Sequence, residues 1–348
     1  MNTAILPTHT EALFREAVAR AVELLAAGEP VALPTETVYG LAANALDAKA
    51  VARVFAIKDR PAQNPVIVHA AGVEMARRCV SSWPAVADKL ASIFWPGPLT
   101  LVMPRSPEIP NIVTAGGPTV GVRWPSHPFI QEVIRCCGFP LAAPSANPAS
   151  AVSPTTAMHV WKSLGGKIPL IIDGGPSQVG IESTVVDLSS PSPRVLRPGM
   201  IDEASLRPVL EMERGGWSKE TGHRPPSAEE PVRSPGQLAR HYAPKAKLVV
   251  REWRDEADLK LQIANLNYPI IAAHIIVHTR IPVGEGFGRV SVLPRTPEAF
   301  ARAIYSELHR SDEEGAEIIV VEALPDQESW RGIRDRLRRA AVSAPGFF

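Results

Sequence analysis

The sequence predicts an α/β protein in two parts. Three observations carry that reading. Helix-spaced and strand-length apolar segments alternate through the first two hundred residues. A stretch rich in Gly, Pro, Ser and charge, with no apolar period, interrupts them over about residues 213–245. A second, shorter alternation then follows. At 348 residues, the chain exceeds what a single core usually serves.

In order, Thr8 with Glu11 resembles a capping box, apolar pairs then recur at helical spacing to Leu24/Leu25, and Gly28 fits the stop. A strand is expected over 31–33. Asp47 is placed to cap a helix running to Lys58. Residues 65–69 read as a buried strand, 84–95 as a helix and 99–103 as a strand. A strand over 119–123 precedes a helix over 126–137. Further strands follow at 140–143, 170–172, 183–188 and 194–196. The neighbouring strands at the end predict a mixed sheet rather than a purely parallel one. The sequence therefore divides into a domain over 1–212, a linker over 213–245 and a smaller α/β domain over 246–348. In the last, 255–266, 297–309 and 330–342 read as helices, and 247–251, 270–277 and 317–321 as strands.

Composition narrows the function. The formal net charge of +1 gives no global field toward nucleic acid or acidic lipid. Three cysteines, Cys79, Cys136 and Cys137, make neither a disulfide framework nor a four-thiolate zinc site. A reducing, cytoplasmic setting fits them, and no signal-peptide layout or membrane-length apolar run argues otherwise. There is no phosphate loop of the G-x-x-x-x-G-K type. Gly284, Gly286 and Gly288 form only a partial glycine fingerprint, which a flexible turn explains equally well.

What stands out is a set of polar segments at the ends of apolar strands. Residues 34–41 (PTETVYGL) bring hydroxyls to a strand exit, including that of Thr37. Lys58 and Arg60, followed by Asn64 and His69, place two cations after a helix, where they either clamp phosphate or merely complement the helix end. Thr119 opens and Arg123 closes an apolar strand. An arginine there suits a carboxylate, although a surface ion pair explains it too. Ala143, Ser145 and Asn147 lie in a small, rigid segment, with Ser153 placed to cap the next helix. Ser183 and Arg197 add a hydroxyl and a further cation. Four cations beside many hydroxyls, without a run of aspartates, suit a small polyanion and a carboxylate-bearing co-substrate.

Read together, PTETVYGL, KDRP with NPVIVH, WPGPLTLV, TVGVRWPSHP, LAAPSANP, GIESTVVD and LRPG resemble the YrdC-like family of threonylcarbamoyl-AMP synthases over about residues 20–200. SPGQLARHYAP, at 234–244, resembles the segment that joins the extra C-terminal domain in longer members. Gln237 departs from the apolar residue expected there. The resemblance implies a YrdC-like twisted mixed-sheet domain with an open cavity, joined by a long linker to a smaller Rossmann-like α/β domain. It implies formation of threonylcarbamoyl-AMP and pyrophosphate from L-threonine, bicarbonate or CO2, and ATP with Mg2+. A tRNA threonylcarbamoyl-transferase machinery would consume the product to modify position 37 of tRNA.

The same resemblance places Thr37, His69, Arg123, Ala143 and Ser183 around threonine. It places Arg60, Asn64, Thr119, Ser145, Ser153, Arg197 and Tyr242 around ATP, with Lys58 and Asn147 assigned to its phosphates. Lys58 and Arg60 are the expected catalytic pair, no protein side chain is expected to hold metal, and Tyr242 would make the linker an active-site lid. The alternative of another class is a non-catalytic RNA-binding or ribosome-associated module of the same fold. The final helix carries Arg331, Arg334, Arg336, Arg338 and Arg339, which would either reach RNA or lie on a solvated face that docks its own domain.

Overall fold

The computed structural model describes residues 2–211, 234, 241–283 and 285–341. The expected linker therefore lies almost wholly outside the described residues. The chain divides into one unit of Met1–Ala149 with Ser153–Gln237, and a second of Ser150–Val152 with Leu238–Phe348.

The first unit carries ten strands: β1 (Ala4–Pro7), β2 (Val31–Leu33), β3 (Gly40–Asn44), β4 (Val68–His69), β5 (Leu99–Pro104), β6 (Thr119–Arg123), β7 (Leu141–Ala142), β8 (Leu170–Asp173), β9 (Thr184–Asp187) and β10 (Arg194–Arg197). They form one sheet in the order β1-β8-β2-β3-β7-β4-β6-β5-β9-β10. Pairings alternate between parallel, as β4 with β6, and antiparallel, as β5 with β6 and β9 with β10. The mixed sheet read from the sequence is thus present.

Its helices are α1 (Glu11–Ala26), α2 (Ala48–Lys58), α3 (Val73–Arg78), α4 (Ala85–Phe94), α5 (Pro128–Cys137), α6 (Ala157–Leu164) and α7 (Glu203–Glu211). The period-two alternation of a strand distributes side chains between the two faces. In β2, Val31 and Leu33 join Ala17, Val18 and Leu25 of α1 and Phe129 and Val133 of α5 in one core. Ala32 faces the other way, into a core with Ala50 and Val54 of α2 and Val160 and Leu164 of α6.

Several expectations are corrected. Thr10, not Thr8, caps α1, its hydroxyl accepting from the Leu13 amide at 3.3 Å, while Thr8 donates to the Asp173 carbonyl. Ser153 does not cap α6; Thr156 does. The strand expected over 65–69 shrinks to Val68–His69. Four elements had no reading: β1, β3, α3 and α7. Each has a weak signal. β1 is a partly exposed edge ending in proline, β3 is built mostly from small residues, α3 is six residues long, and α7 contains Pro208.

The second unit has a four-stranded, all-parallel sheet of β11 (Lys247–Arg251), β12 (Ala273–Val277), β13 (Arg289–Val292) and β14 (Ile318–Glu322), in the order β11-β14-β12-β13. Helices α8 (Glu256–Asn265), α9 (Pro297–Glu313) and α10 (Arg331–Ala340) complete it. Strand β13 was not anticipated. This is the Rossmann-like arrangement expected, but the usual ligand position at the carboxyl ends of its strands is occupied by protein. Glu322, at the end of β14, accepts from the amides of His278, Thr279 and Arg280 at 2.7, 2.8 and 3.2 Å, and from the Thr279 hydroxyl. A side-chain carboxylate thus takes the amides that follow β12. The glycine run leads into β13 rather than into a helix. At Gly288 a Cβ would stand 2.4 Å from the Ile271 carbonyl, so glycine is required there by close backbone approach; Gly284 lies outside the described residues.

Helix α10 packs on its own unit, as one of the two readings has it, but two of its arginines are inside rather than solvated. Arg336 and Arg339 are buried against Asp335, whose Oδ1 receives Arg338 at 2.9 Å and Arg339 at 3.1 Å, and whose Oδ2 receives Arg336 at 3.1 Å and Arg339 at 3.0 Å. Arg334 pairs with Asp326. Among the described residues no helix is long and apolar enough to cross a membrane.

Candidate active site

The centre of the first unit's sheet carries buried polar side chains where apolar ones would be cheaper. Short strands explain how they get there. β4 and β7 have two residues each, so the chain leaves the sheet beside β6, and loops enter among the strand ends. His69 lies opposite Arg123 in the β4–β6 register. The loop between β2 and β3 brings Glu36 and Thr37 to the same place. It is tied to the segment before β9 by the Val179 amide on the Glu36 carbonyl at 2.6 Å and the Gly180 amide on the Thr37 carbonyl at 3.1 Å.

Arg123 organises this group. Its Nη1 donates to the Thr37 hydroxyl at 2.9 Å, its Nε to the Gly97 carbonyl at 3.1 Å, and its Nη2 pairs with Glu36 Oε1 at 2.6 Å. Thr35 lies 2.9 Å from Thr37, hydroxyl to hydroxyl. Burial pushes the Glu36 carboxyl up, but the Arg123 charge and contact outweigh it and hold the group below the usual carboxylate range. His69 is driven the other way. Burial, reinforced by Arg123, lowers it to about 3, so the imidazole is neutral, and its Nδ1 has no hydrogen-bond partner among the described residues.

Ser183 stands at the head of β9, two strands from β6 across β5. Its hydroxyl meets Thr100 at 2.8 Å and accepts from Arg197 at 3.1 Å, while Arg197 Nε donates to the Ser183 carbonyl at 3.0 Å. Next to it, Glu182 Oε1 accepts from the Ser153 hydroxyl at 2.6 Å. Lys58, at the end of α2, donates to the carbonyls of Ser145 and Asn147. Its burial, together with the nearby Arg60 charge, lowers its pKa well below that of a free lysine. The 143–147 segment is stitched to the first loop through the Ala146 amide on the Tyr39 carbonyl at 2.8 Å and the Gly40–Ser145 bridge, and the Ala143 amide donates to the Ile67 carbonyl at 3.1 Å.

Arg60 crosses the following turn to the carbonyls of Asn64 and Pro65 at 2.9 and 2.6 Å. Asn64 Oδ1 is buried without a hydrogen bond among the described residues. Thr119 opens β6 and lines a pocket with Pro65, Ile67, Thr100, Val185 and Ser234. Thr37, His69 and Arg123 lie outside its walls, packed on one another. Of the expected sites, thirteen are thus in the first unit. Tyr242 alone is in the second. There it is buried at φ 61, in the left-handed region uncommon for an aromatic residue. Arg336 lies over its ring at 5.1 Å, and Tyr305 stacks at 6.2 Å.

Glu36, Thr100 and Glu182 were not anticipated. Glu36 and Glu182 lie inside motifs already singled out, and an isolated acidic residue beside a set of cations was the available signal. Among the described residues no group of His, Cys, Asp and Glu is arranged to hold a metal ion.

An α/β sheet whose central strand ends carry buried cations and hydroxyls makes a candidate site for a polar ligand. Comparison with known proteins narrows the class. Residues 23–199 match the Sua5/YciO/YrdC family, described as telomere recombination, and 201–342 match the threonylcarbamoyl-AMP synthase C-terminal domain. The chain is 38% identical over 327 residues to the threonylcarbamoyl-AMP synthase of Pyrococcus abyssi, covering 90% of this chain and 91% of that one. It is 37% identical to the one of Bacillus subtilis, over 93% and 92% of the two chains. The solved structure of P. abyssi Sua5 complexed with L-threonine superposes with a TM-score of 0.83 at 35% identity, covering 98% of each chain. A form of the same protein with an adjacent histidine and tyrosine replaced by alanine gives 0.85 at 34% identity, over 97% of this chain and 96% of that one. The chain belongs to the threonylcarbamoyl-AMP synthase family, an enzyme family, in its two-domain form.

Proposed function

We propose that this protein is an L-threonylcarbamoyladenylate synthase, a nucleotidyltransferase that joins L-threonine, bicarbonate or CO2, and ATP into threonylcarbamoyl-AMP and pyrophosphate. The observation that carries the reading is the juxtaposition of Arg123, Thr37 and His69 in a chain that matches, nearly end to end, a relative described as complexed with L-threonine. The threonine amine, as the neutral base, adds its lone pair to the carbon of carbon dioxide and releases a proton to solvent, which leaves a carbamate. A carbamate oxygen then forms a bond to the α-phosphorus while the bond to pyrophosphate breaks. Such a displacement needs positioning and charge compensation more than covalent help.

Arg123 supplies the fork for the threonine carboxylate. Thr37, Ser183 and the neutral His69 offer donors and acceptors to its hydroxyl, and a site built to bond a hydroxyl discriminates against analogues lacking it. Lys58, Arg60, Asn64, Thr119, Ser145, Asn147, Ser153 and Arg197 fall to ATP, with Lys58 also setting the 145–147 loop. Mg2+ would arrive with the ATP phosphates, its preferred mode of binding when no protein cage is offered. Tyr242 belongs to an adjacent His-Tyr pair like the one replaced in the P. abyssi form, which supports a role for it in the same reaction. Three unlinked cysteines favour a reducing, cytoplasmic setting for this chemistry. An RNA-binding module gains nothing from this arrangement. Lys58, Arg123 and Arg197 are buried, as are two of the arginines of α10, so they present no basic face to a phosphate backbone.

The test is pyrophosphate release by the purified full chain with MgATP, threonine and bicarbonate, with the product identified by mass. Release that needs both threonine and bicarbonate is expected. ATP turnover indifferent to threonine would overturn the assignment.

A further inference from the structure

Glu36 has no part in the reaction as set out above, yet it shares the guanidinium that threonine would use. Both side chains are sealed from water, at 4% exposure for Arg123 and 7% for Glu36. Arg123 is already committed: Nη2 to Glu36 at 2.6 Å, Nη1 to Thr37 and Nε to the Gly97 carbonyl. The Ser126 and Glu36 amides favour the ionised carboxylate, but neither Oε1, which Arg123 holds as an ion pair only, nor Oε2 makes a hydrogen bond of proper geometry among the described residues. The other titratable groups facing Glu36 are His69 and His127, and burial disfavours the charged form of both. Among the described residues Glu36 therefore has one counter-charge, Arg123.

A ligand carboxylate that docks on Arg123 competes with Glu36 for it. If the ligand were a simple anion, two carboxylates would share one guanidinium, and a buried carboxylate short of its counter-charge is costly. A zwitterion avoids this by bringing its own cation. We propose that Glu36 is a specificity-determining residue: its Oε2 receives the α-ammonium of threonine while Arg123 takes the α-carboxylate, so the pair selects an amino-acid zwitterion over a hydroxy acid of the same shape. The inference rests on the threonine reading and assigns the amine, which that reading left unassigned.

The experiment compares L-threonine with (R)-3-hydroxybutanoate, which keeps the carboxylate and hydroxyl but lacks the amine, by titration into the full chain and its Glu36→Gln variant. Glutamine keeps the shape and removes the charge. The preference for threonine should fall by about tenfold or more in the variant, the scale of one lost charge-assisted bond. A preference unchanged within about twofold, with threonine still bound, would mean that Glu36 only props Arg123, and would overturn the proposal while leaving the functional reading intact. A second measurement needs no variant. In a structure of the unaltered chain with L-threonine, the ammonium nitrogen should lie within about 3.2 Å of a Glu36 oxygen; a separation beyond hydrogen-bond reach overturns the role. Failure of the unaltered chain to bind threonine at all would take down both readings together.

Discussion

Replacing Arg123 by methionine keeps much of the side chain's volume and removes its charge, which leaves Glu36 buried alone. Breaking one side of a buried pair costs about 3–5 kcal/mol. The structure supplies an independent bound. The stranded carboxylate can escape by taking a proton, and moving from its ordinary value of 4.5 to pH 7.5 spans three units, about 4 kcal/mol at ~1.36 kcal/mol per unit. The two figures agree, and the second carries a sign. In the unaltered protein the Glu36 pKa is depressed, so its contribution is present above 4.5 and is lost as pH falls through the folded value. In Arg123→Met the folded pKa is raised instead, so the protonated carboxyl costs less as pH falls. The gap between the two proteins should therefore shrink by about 1.4 kcal/mol per unit from pH 7.5 toward 5. Adding Glu36→Gln to Arg123→Met removes the stranded charge and should restore at least about 2 kcal/mol, a non-additive coupling. The assay is urea unfolding across this pH range, with hydrogen exchange over 31–44 and 119–123 to assign the loss to the first unit. A pH-independent gap, or additive single and double variants, would refute the reasoning.

Three further outcomes are expected. His69 is held at about 3 against an ordinary 6.5, so the folded protein gives up stability as pH falls below 6.5; at pH 5 this is roughly 2 kcal/mol. His69→Gln should remove that portion of the slope, while His127, lowered in the same direction, stays in both proteins; equal slopes would refute the assignment. Lys58→Met loses two charge-assisted bonds to the 145–147 loop and should slow pyrophosphate release by at least about tenfold, and an unaltered rate would remove Lys58 from the site. Asp335→Asn strips the counter-charge from Arg336 and Arg339 and should destabilise the second unit by about 3–5 kcal/mol; unchanged exchange protection in β11 and β14 would contradict that.

How much of this was legible depended on where the signal resided. Helices α1, α2, α4 and α5 were readable because each buries a stripe at helical spacing. β3 was not, because Gly40-Leu-Ala-Ala-Asn44 offers little that favours a strand. Its place is fixed by neighbours on both sides, the β2 and β7 pairings, which act at tertiary range. Thirteen of the fourteen expected site residues fall in the first unit, several of them at strand ends, a position that sequence order marks well. Partner choice was not marked. Arg123 was read for a ligand carboxylate and meets a protein one, and Ser153 was read for a cap and meets Glu182. In α10 the five arginines suggested a basic face, since nothing local says that Asp335 neutralises two of them inside the core.

Among the described residues charge is buried at several places, and the contrast between two of them separates scaffold from site. Around Asp335 both carboxylate oxygens are bonded, to Arg336, Arg338 and Arg339, at 2.9–3.1 Å. A buried ion cluster of that kind is complete, and a ligand would have to dismantle it to enter. Around Glu36, among the described residues, there is one guanidinium, and neither carboxylate oxygen makes a hydrogen bond of proper geometry, although the side chain is buried in the loop between β2 and β3. Folding alone would favour closing that vacancy with a donor, or replacing the pair by apolar side chains, since buried pairs rarely out-stabilise well-packed hydrophobic ones. An incomplete pair kept at such a position is better explained by what completes it. A molecule that carries one positive and one negative group, spaced as in an α-amino acid, supplies a donor to Glu36 and an acceptor to Arg123 Nη2, which is held only by the ion pair and makes no hydrogen bond of proper geometry among the described residues, and the polar site then becomes more fully satisfied with ligand than without it.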